Sequence, residues 1–514
     1  MPVATIISWP DLFIRFMVRC AFPFFVYAAL CYDDALAGRS VRRYQGRIRM
    51  RQGMKRAVCG MALSVLLAAS PVMAGTAEFL ELLNILRDNG TIKEQDYARL
   101  KNALLAEVPG KPASTPIAMS AQSQPVAPVE SGVPLKIDTE GGLEIATYDG
   151  RFSFGIGGRL MADAAFYNED RNQLSNGTEL RRAELELAGV IDYDWAYEFE
   201  LDFGDGNVDV NDAYVTYQGF APLLLKVGQF KEPFSMDELT SSKYATFMES
   251  ALPNAFAPGR HLGIGVANAW EDATVAAGLF GEAFDDAAEN TDPDKKGDES
   301  WGLTGRLTWA PIHAKRQVFH LGASSSYRQL GDDAEDHRLR FRARPESHLT
   351  NDLRYVNTGR IDKVEDYMLS GLETAGVYGP LSFQGEYIRA DLSRTDGSPD
   401  LHFDGWYVQS SWFWTGESQN YSVTKGTFGK IKPLNKYGAF ETAVRLSRID
   451  LTDDLVRGGE EESVTLAINW YLNPYLRLMA NYIWINNDAD ADAAGEVTGN
   501  DDPEVVQFRF QAAF

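Results

Sequence analysis

The most constraining feature of this chain is the alternation of apolar and polar residues from residue 143 to residue 514. One segment shows the pattern clearly. Its apolar face consists of Trp195, Tyr197, Phe199, Leu201 and Phe203, and its acidic face consists of Glu198, Glu200 and Asp202. Successive side chains of a β-strand point to opposite faces, so each such segment predicts a strand with one apolar side. The segments reach about ten residues or more, which is the length that a tilted strand needs to cross a membrane.

The alternation favours a transmembrane β-barrel over a membrane protein that spans by helices. After residue 75 no apolar run reaches 18 residues, so no spanning helix is predicted there. Trp and Tyr gather near the ends of the predicted strands, as in the interfacial girdles of barrels, for example at Trp412, Trp414, Trp470, Tyr471, Tyr475 and Trp484. A large soluble β-protein has an equally faint hydropathy signal, so hydropathy alone leaves both classes open.

The predicted connections between strands are of two kinds. Short turns are predicted at residues 190–193, 378–380 and 473–474, whereas the connections 282–299, 331–366 and 486–502 are long and acidic. Short turns on one rim and long loops on the other are typical of outer-membrane barrels. The acidic loops are expected to face outward, where divalent ions can bridge them to lipopolysaccharide.

The last residues indicate the same class. Val506, Phe508, Phe510, Ala512 and Phe514 share one face of the final predicted strand. A terminal aromatic residue on such a strand resembles the signal that the barrel-assembly machinery recognises, so this machinery is an expected partner through Phe514. Together with a secretion signal and the aromatic girdles, this ending predicts a barrel in the outer membrane of a Gram-negative bacterium.

The N-terminal region is predicted to consist of a leader, a helical hairpin and a linker. Residues 54–74, with a basic start, an apolar stretch at 57–69 and small residues at 72–74, predict a signal peptide. Residues 1–53 are interpreted as an upstream extension from a wrongly assigned start, with an internal membrane anchor as the alternative. Residues 75–108 show helical spacing and predict a periplasmic hairpin that forms a coiled coil or remains without a partner. Residues 109–134, rich in Pro, Ala, Ser and Gln, are a linker, and the barrel occupies 135–514.

Composition excludes several function classes. All three cysteines (Cys20, Cys31 and Cys59) precede residue 60, so the main body has neither a disulfide scaffold nor a cysteine-ligated metal site. The net charge of −23 makes nucleic acid an unsuitable partner. The six histidines show no spacing to a nucleophile, so neither an enzyme nor a cofactor is predicted. The acidic run at residues 488–492 begins like a calcium loop, but Ala493 and Gly499 stand where that loop needs Gly and Glu.

One long connection is expected to fold into the barrel. The strands at residues 223–230 and 263–266 are separated by about thirty residues, among them Pro233, Pro253 and Pro258. A loop of this length in a compact domain is usually functional. Its prolines and apolar residues predict an ordered segment, residues 231–262, that narrows the lumen.

This stretch resembles the phosphate-selective porin O and P family. The motifs that carry the resemblance lie at residues 181–185, 227–235, 239–244, 252–255, 257–260, 469–474 and 477–479. The resemblance covers residues 140–514 and implies an all-β transmembrane barrel of about 16 antiparallel strands, assembled as a homotrimer with the third external loop folded inward. It also implies small anionic solutes, phosphate above all, guided by a ladder of lumen arginines and a basic constriction.

The alternation also predicts which basic residues point into the lumen. Eleven bases are candidate permeant contacts. Seven lie on the lumen face by alternation, namely Arg159, Arg182, Arg306, Arg328, Arg445, Arg477 and Arg509, and four belong to the inward loop and the strand that leads into it, namely Lys226, Lys231, Lys243 and Arg260. Spaced cationic donors can exchange water around an anion while each site stays weak enough to release it. The alternative is that these bases form ion pairs with inward-facing acids, namely Asp163, Glu184, Glu186, Glu198, Glu200, Asp202 and Glu441.

The prediction is therefore an outer-membrane channel for passive diffusion of phosphate or related anions. The inward acids keep two alternatives open: a weakly selective or cation-preferring nutrient porin, and a barrel that does not conduct and has a structural role.

Overall fold

A computed structural model describes residues 135–139, 142–204, 206–284, 299–331, 339–350, 353–395 and 397–514. The predicted upstream extension, signal peptide, helical hairpin and linker, at residues 1–53, 54–74, 75–108 and 109–134, lie outside the described residues. Among the described residues, no helix is both long and apolar enough to cross a membrane.

Sixteen antiparallel strands form the wall of a closed barrel in the described part of the chain. A short hairpin of β1 (Leu135–Asp138) and β2 (Leu143–Thr147) precedes it. The first twelve wall strands are β3 (Phe152–Asn168), β4 (Gly177–Ile191), β5 (Trp195–Asp202), β6 (Asp209–Tyr217), β7 (Leu224–Lys231), β8 (Arg260–Ala269), β9 (Ala273–Phe280), β10 (Trp301–Ala314), β11 (Gln317–Gln329), β12 (Val364–Tyr378), β13 (Leu381–Arg394) and β14 (Leu401–Phe413). The separate pair β15 (Asn420–Ser422) and β16 (Thr427–Gly429) is followed by β17 (Ala439–Asp453), β18 (Val456–Tyr471), β19 (Leu476–Asn487) and β20 (Glu504–Ala513).

The barrel closes because its last strand pairs with its first. β20 runs antiparallel to β3, with Arg509 opposite Asp163. β2 pairs with β3 at Phe154 and Ile156, beyond the end of β20, so the short hairpin continues the sheet along the same edge. Closure leaves no unpaired sheet edge in the apolar part of a membrane. The predicted all-β barrel of about 16 antiparallel strands is confirmed.

The alternation in sequence becomes an outer and an inner surface. On β10, Leu303 and Leu307 lie on the outer surface and are more than half exposed, while Thr304, Arg306 and Thr308 are buried on the inside. A shift of one residue in strand register would exchange these two sets, so the apolar outer face fixes the register.

Two parts of the wall differ in height. The low wall consists of the five consecutive strands β5–β9, each of eight to ten residues. The tall wall consists of β10–β14 and β17–β19, each of twelve to sixteen residues. A strand rises about 3.3 Å per residue, so the tall strands extend well beyond the low ones.

Between β7 and β8 the chain folds into the lumen as the inward loop, residues 232–259. β8 begins at Arg260, three residues before the predicted strand, and Lys231 pairs with Arg260 at the base of the loop. The loop contains one α-helical turn, α1 (Met236–Leu239), and a 3-10 helix at Leu252–Phe256. Its apolar side chains are buried against the inner face of the tall wall and the segments above it, namely Phe234, Met236, Phe247, Leu252 and Phe256.

A second segment enters the lumen from the opposite rim. The connection between β14 and β17, residues 414–438, lies on the rim of short turns and carries β15 and β16; we call it the inner hairpin. Near its tip, the carbonyl groups of Lys425 and Gly426 accept hydrogen bonds from Arg306 on the wall. Phe428 of the inner hairpin and Met236 of the inward loop belong to one buried apolar cluster. The alternation of residues and the predicted turns gave no indication of this segment.

The largest apolar core lies inside the rim of long loops. It joins the inward loop to residues 339–364, with the Phe256 and Phe341 rings 5.1 Å apart and Tyr355 and Val356 fully buried. The tall strands β12, β13, β14 and β17 supply the wall side of this core. The loops of this half of the barrel are therefore packed onto the tall wall.

Candidate functional site

The inner face of β3–β8 and the inward loop enclose a cavity of about 690 Å³, which we call the loop-side chamber. The basic residues that line it are Arg159, Arg181, Arg182, Lys226, Lys231, Lys243, Arg260, Arg342, Arg344, Arg354 and Lys425. The acidic residues that line it are Glu186, Glu198, Glu200, Asp212, Asp237, Glu238, Glu249 and Glu346. Eleven bases against eight acids leave the lining positive, although most of its charges are paired.

Two lysines of the predicted constriction form ion pairs. Lys243 Nζ lies 2.6 Å from the Glu186 carboxylate, which joins the loop to β4. Lys231 Nζ lies 2.9 Å from Glu238, which joins the end of β7 to the loop. Both lysines remain partly exposed to the chamber, with 16% and 24% of their side-chain surface accessible.

Arg260, at the start of β8, is held by two carboxylates of the wall. Its guanidinium lies 2.8 Å from Asp212 and 3.3 Å from Glu200. About a fifth of its side-chain surface stays accessible. The three bases on or beside the loop thus fix the loop and still present part of their surface to a solute.

Arg159 joins the wall to the loop by hydrogen bonds. It contacts the Glu184 carboxylate on β4 and donates to the hydroxyls of Ser241 and Ser242, at 3.1 and 2.9 Å. Arg182 pairs with the same Glu184 at 3.0 Å and keeps 24% of its side chain accessible. Arg159 is therefore largely structural, whereas Arg182 faces the chamber.

On the tall wall, Arg306 and Arg328 are buried in ion pairs. Arg306 pairs with Glu373 at 2.5 Å, and Arg328 pairs with Glu232 at the root of the inward loop. Each also donates to main-chain carbonyl groups, those of Gly426 and Gly281 among them. Both arginines are about 95% buried, so they brace the two inward segments.

Arg445 and Arg477 are buried even more deeply and hold the main chain of the inward loop. Arg445 pairs with Glu346 at 2.6 Å and donates to the carbonyl of Glu249 at 3.0 Å. Arg477 donates to the carbonyls of Ala245 and Thr246 at 2.6 and 3.1 Å. Neither guanidinium faces open water, so both act as anchors of the loop.

Glu249 connects the inward loop to β4 and to β20, the two strands that pair with β3 where the barrel closes. Its carboxylate accepts two hydrogen bonds from Arg181, at 3.0 and 3.1 Å, and lies 2.6 Å from Arg509. Arg509 also pairs with Asp163 at 2.7 Å. Burial disfavours the charged form of Glu249, but the charges of Arg181 and Arg509 outweigh burial and hold the pKa of this carboxyl below its ordinary value.

Lys226 differs from the other ten predicted bases. Its ammonium lies 3.8 Å from the centre of the Tyr214 ring and 5.0 Å from that of Phe230. Within the described part of the chain it makes no hydrogen bond or ion pair. A cation over aromatic rings is held by electrostatic attraction and keeps its outer face available to an anion.

Sequence reasoning missed Arg181 and the bases on two connections. The β3–β4 register shifts between Met161 and Ala162, and this bulge gives Arg181 as well as Arg182 access to the lumen. Arg342, Arg344, Arg354 and Lys425 line the chamber because two further connections fold inward. The adjacent arginines at 181 and 182 were the one visible signal, since strict alternation places only one of them inside.

The acidic run at 488–492 serves local structure. Asp488 accepts main-chain hydrogen bonds from Glu460, Asp490 and Ala491, and the Asp492 carboxylate accepts one from Gly495. In the described ranges, no cluster of three His, Cys, Asp or Glu side chains is arranged to hold a metal ion.

A closed barrel with an apolar outer face and a charged lumen narrowed by inward loops defines a porin, a passive diffusion channel of the outer membrane. A sequence model described as "Phosphate-selective porin O and P" matches residues 154–514. The chain belongs to this family, which confirms the resemblance noted in the sequence. The family and the barrel fold are those of channels.

Two relatives share much of the sequence. Porin O of Pseudomonas aeruginosa is 32% identical over 420 residues, which cover 74% of this chain and 95% of that protein. An uncharacterised protein of Caulobacter vibrioides is 31% identical over 386 residues, covering 73% and 76%. Among solved structures, the anion-selective porin of Comamonas acidovorans aligns with a TM-score of 0.46 at 14% identity, over 71% of this chain and all of that chain.

Proposed function

We propose that this porin prefers anions and that phosphate is the leading solute. The observation that carries the proposal is the positive lining of the loop-side chamber, where Lys226 has no anionic partner among the described residues. The name of the family and that of its relative Porin O support phosphate as the anion.

The pairing of most lumen bases explains how the channel can attract an anion without trapping it. Arg182, Lys243 and Arg260 each share their charge with a wall carboxylate. Such a base can donate one more hydrogen bond to a passing anion, but the neighbouring carboxylate weakens the attraction. Conduction needs several weak sites in series, because a single strong site would retain the solute.

A weakly selective or cation-preferring channel is the second candidate function. The eight acids of the loop-side chamber favour it. Glu186 and Glu198 are only partly buried, so a cation could approach them where an arginine does not intervene. The two candidates differ in the sign of the charge selectivity, which one electrical measurement decides.

That measurement is the zero-current potential of the purified protein in a planar bilayer under a KCl gradient, followed by addition of phosphate. We expect an anion-signed potential and a phosphate block of the chloride current. Lys226→Gln should lower the anion-to-cation permeability ratio about fivefold, because a unit charge about 4 Å from a solute contributes about 1 kcal/mol in water. Lys315→Gln, at an exposed position in the short turn between β10 and β11, is the matched control and should change nothing. A cation-signed potential that phosphate does not alter would refute the proposal.

We further propose that the chain forms a homotrimer in which the low wall is covered by a neighbouring copy. Eight residues span about 26 Å along the strand and about 20 Å once tilted, whereas the apolar band of an outer-membrane barrel is about 25 Å tall. Ile264 and Leu279 are about half exposed on the outer surface of this low wall. A partner subunit that covers the low wall would keep these short strands out of contact with lipid, whose apolar layer is taller than they are.

Other parts of the sequence prediction remain proposals for the same protein. The signal peptide at 54–74 would direct export, and residues 75–108 would form a periplasmic hairpin joined by the linker at 109–134. Phe514 is 54% exposed and is the proposed contact for the barrel-assembly machinery. The acidic external loops would bind lipopolysaccharide through divalent ions.

A further inference from the structure

A second cavity of about 730 Å³ lies below the first, toward the rim of short turns; we call it the turn-side chamber. It is bounded by the inner face of β4–β9 and by the tip of the inner hairpin, and it shares Lys226, Phe230 and Lys425 with the loop-side chamber. A solute that leaves one chamber therefore enters the other. The two linings have different chemistry.

The change in chemistry occurs along individual strands. On β4 the inward positions Glu184 and Glu186 are followed, toward the short-turn rim, by Ala188 and Val190. On β5 the inward acids Glu200 and Glu198 are followed, toward the same rim, by Ala196. The inner face thus passes from charged to apolar within about two residues of each strand.

β8 and β9 complete the apolar surface. Ala267 and Ala276 are opposite each other across the two strands, and both line the turn-side chamber together with Gly265 and Ala269. The side chains of Ala267, Ala269 and Ala276 are too small to fill the lumen, and they remain partly exposed. The interior of a porin is ordinarily polar, and an accessible apolar patch on a protein usually marks a binding surface.

The charges in this chamber are few and mostly basic. They are Glu198, Lys226, Lys231, Arg306 and Lys425. Glu198 accepts a hydrogen bond from the Tyr214 hydroxyl, while Lys231 and Arg306 are already paired with carboxylates. The ammonium groups of Lys226 and Lys425 make no hydrogen bond or ion pair to the described residues. An apolar wall therefore faces two cations that have no anionic partner there.

We infer that the turn-side chamber binds small organic anions that carry an apolar group, with aryl phosphates as the class that fits best. The inference rests on the proposed anion preference and extends it to a class of solute. The anionic group would lie near Lys226 and Lys425, and the apolar group would lie against Ala267 and Ala276. Inorganic phosphate can use only the first of these two contacts.

The apolar contact is expected to be useful and still weak. Half-burial of a phenyl ring removes enough apolar surface from water to tighten binding by about tenfold. The small alanines provide area without a deep pocket, so the ring can leave as easily as it enters. A gain of this size lets the solute concentrate in the lumen without stopping its passage.

The test compares two blockers of equal charge on the purified full-length protein in a planar bilayer. Phenyl phosphate and methyl phosphate differ in the apolar group alone, and each is titrated against the chloride current. We expect phenyl phosphate to block half of the current at a concentration about tenfold lower than methyl phosphate. Benzyl alcohol, which carries the ring without the charge, should not block at that concentration.

The double variant A267S/A276S adds two hydroxyl groups to the apolar wall at nearly constant volume. We expect it to reduce the preference for phenyl phosphate from about tenfold to about threefold, since each hydroxyl must keep its water. Ala273→Ser is the matched control, because Ala273 lies on β9 with its side chain on the side of Val275, away from the lumen. Thr216→Val, which makes the same inner wall more apolar, should increase the preference.

The possible results separate this inference from the proposed function. A cation-signed zero-current potential would refute the anion preference itself. An anion-selective parent that is blocked equally by both phosphates would overturn only the organic-anion site. An equal block by benzyl alcohol, or a preference that the A267S/A276S variant does not change, would also overturn it. If that variant did not assemble, the parent titration and Thr216→Val would still decide.

Discussion

The low wall and the tall wall follow the same alternation of residues, yet their inner faces have different surroundings. Inside the tall wall, Arg445 and Arg477 are about 98% buried beneath the inward segments. Inside the low wall, Lys226 lies beside two open chambers and is only partly buried. The difference lies in what covers each wall, and the inward loop and the inner hairpin supply that cover.

The comparison shows that a lumen arginine is not in itself a solute site. Arg306 and Lys226 both point inward, but Arg306 is surrounded by Glu373 and two main-chain carbonyls, whereas Lys226 faces water and two aromatic rings. The first is a structural brace and the second is available to a solute. We expect substitutions in the tall wall to affect stability and those in the low wall to affect selectivity.

The largest effect should follow from removing a buried carboxylate of the tall wall. Glu373→Ala leaves Arg306 buried without its partner and also removes the contact of Glu373 with His320, 2.9 Å away. Breaking a buried ion pair costs about 3–5 kcal/mol. We expect a marked fall in the temperature at which the barrel loses its heat-dependent mobility shift on a denaturing gel.

The control for this change is Arg151→Ala on the short-turn rim. Arg151 pairs with Asp192 at 2.7 Å, but both side chains are at least half exposed. An exposed pair contributes little, so the unfolding temperature should not change measurably. If Glu373→Ala and Arg151→Ala lowered the unfolding temperature equally, burial of the ion pair would not explain the stability of the tall wall.

A smaller loss of stability is expected when charges are introduced on the outer surface. Substitutions of this kind test the proposed trimer interface. Ile264→Lys places a charge on the outside of the low wall, and Leu372→Lys does the same on the tall wall, where Leu372 is 63% exposed. A lysine facing lipid costs about 2–4 kcal/mol near the midplane. If a neighbouring copy covers the low wall, Ile264→Lys should yield monomers by light scattering in detergent, whereas Leu372→Lys should remain a trimer of lower stability. A monomeric parent, or the reverse pattern, would contradict the proposed interface.

The smallest effect concerns pH and the loop anchor at Glu249. Its pKa in the folded protein lies below the ordinary value of 4.5, because Arg181 and Arg509 outweigh the effect of burial. The stabilisation is therefore complete above that ordinary value and is lost as the pH falls below it. We expect the anchoring to weaken progressively as the pH falls from 4.5, by at most about 2 kcal/mol at pH 3, visible as a noisier single-channel current at pH 3 than at neutral pH. Glu249→Gln should be noisy at both pH values, and a parent current that is equally quiet at both would refute this role.

The strands of the wall could be predicted from the sequence, but the segments that cover the inner face of the tall wall could not. Alternation assigned Arg159, Arg182 and Arg306 to the inner surface because the register of a strand is fixed by its apolar face. It gave no sign that Arg306 would be covered, since the covering residues, 414–438, lie more than a hundred positions away. Contacts of that kind depend on how the closed barrel brings distant segments together.

The inward loop and the inner hairpin show the same limit. The prolines and the family motifs identified residues 231–262 as a segment inside the lumen, whereas residues 414–438 show no comparable signal and lie on the rim where short turns were expected. Arg181 was missed for a local reason, a bulge that strict alternation cannot anticipate. Sequence periodicity thus predicts regular strands and loses accuracy where a strand or a rim is irregular.

The apolar cluster that contains both Met236 and Phe428 has a consequence for the electrical behaviour of the channel. The two segments that narrow the lumen enter from opposite rims and pack into this one cluster, so neither can swing aside without disturbing the other. A constriction supported from both ends should resist the electric force that a membrane voltage exerts on its charged residues. The pore is therefore expected to stay open and to carry a steady current at voltages that would close a channel with a single hinged loop.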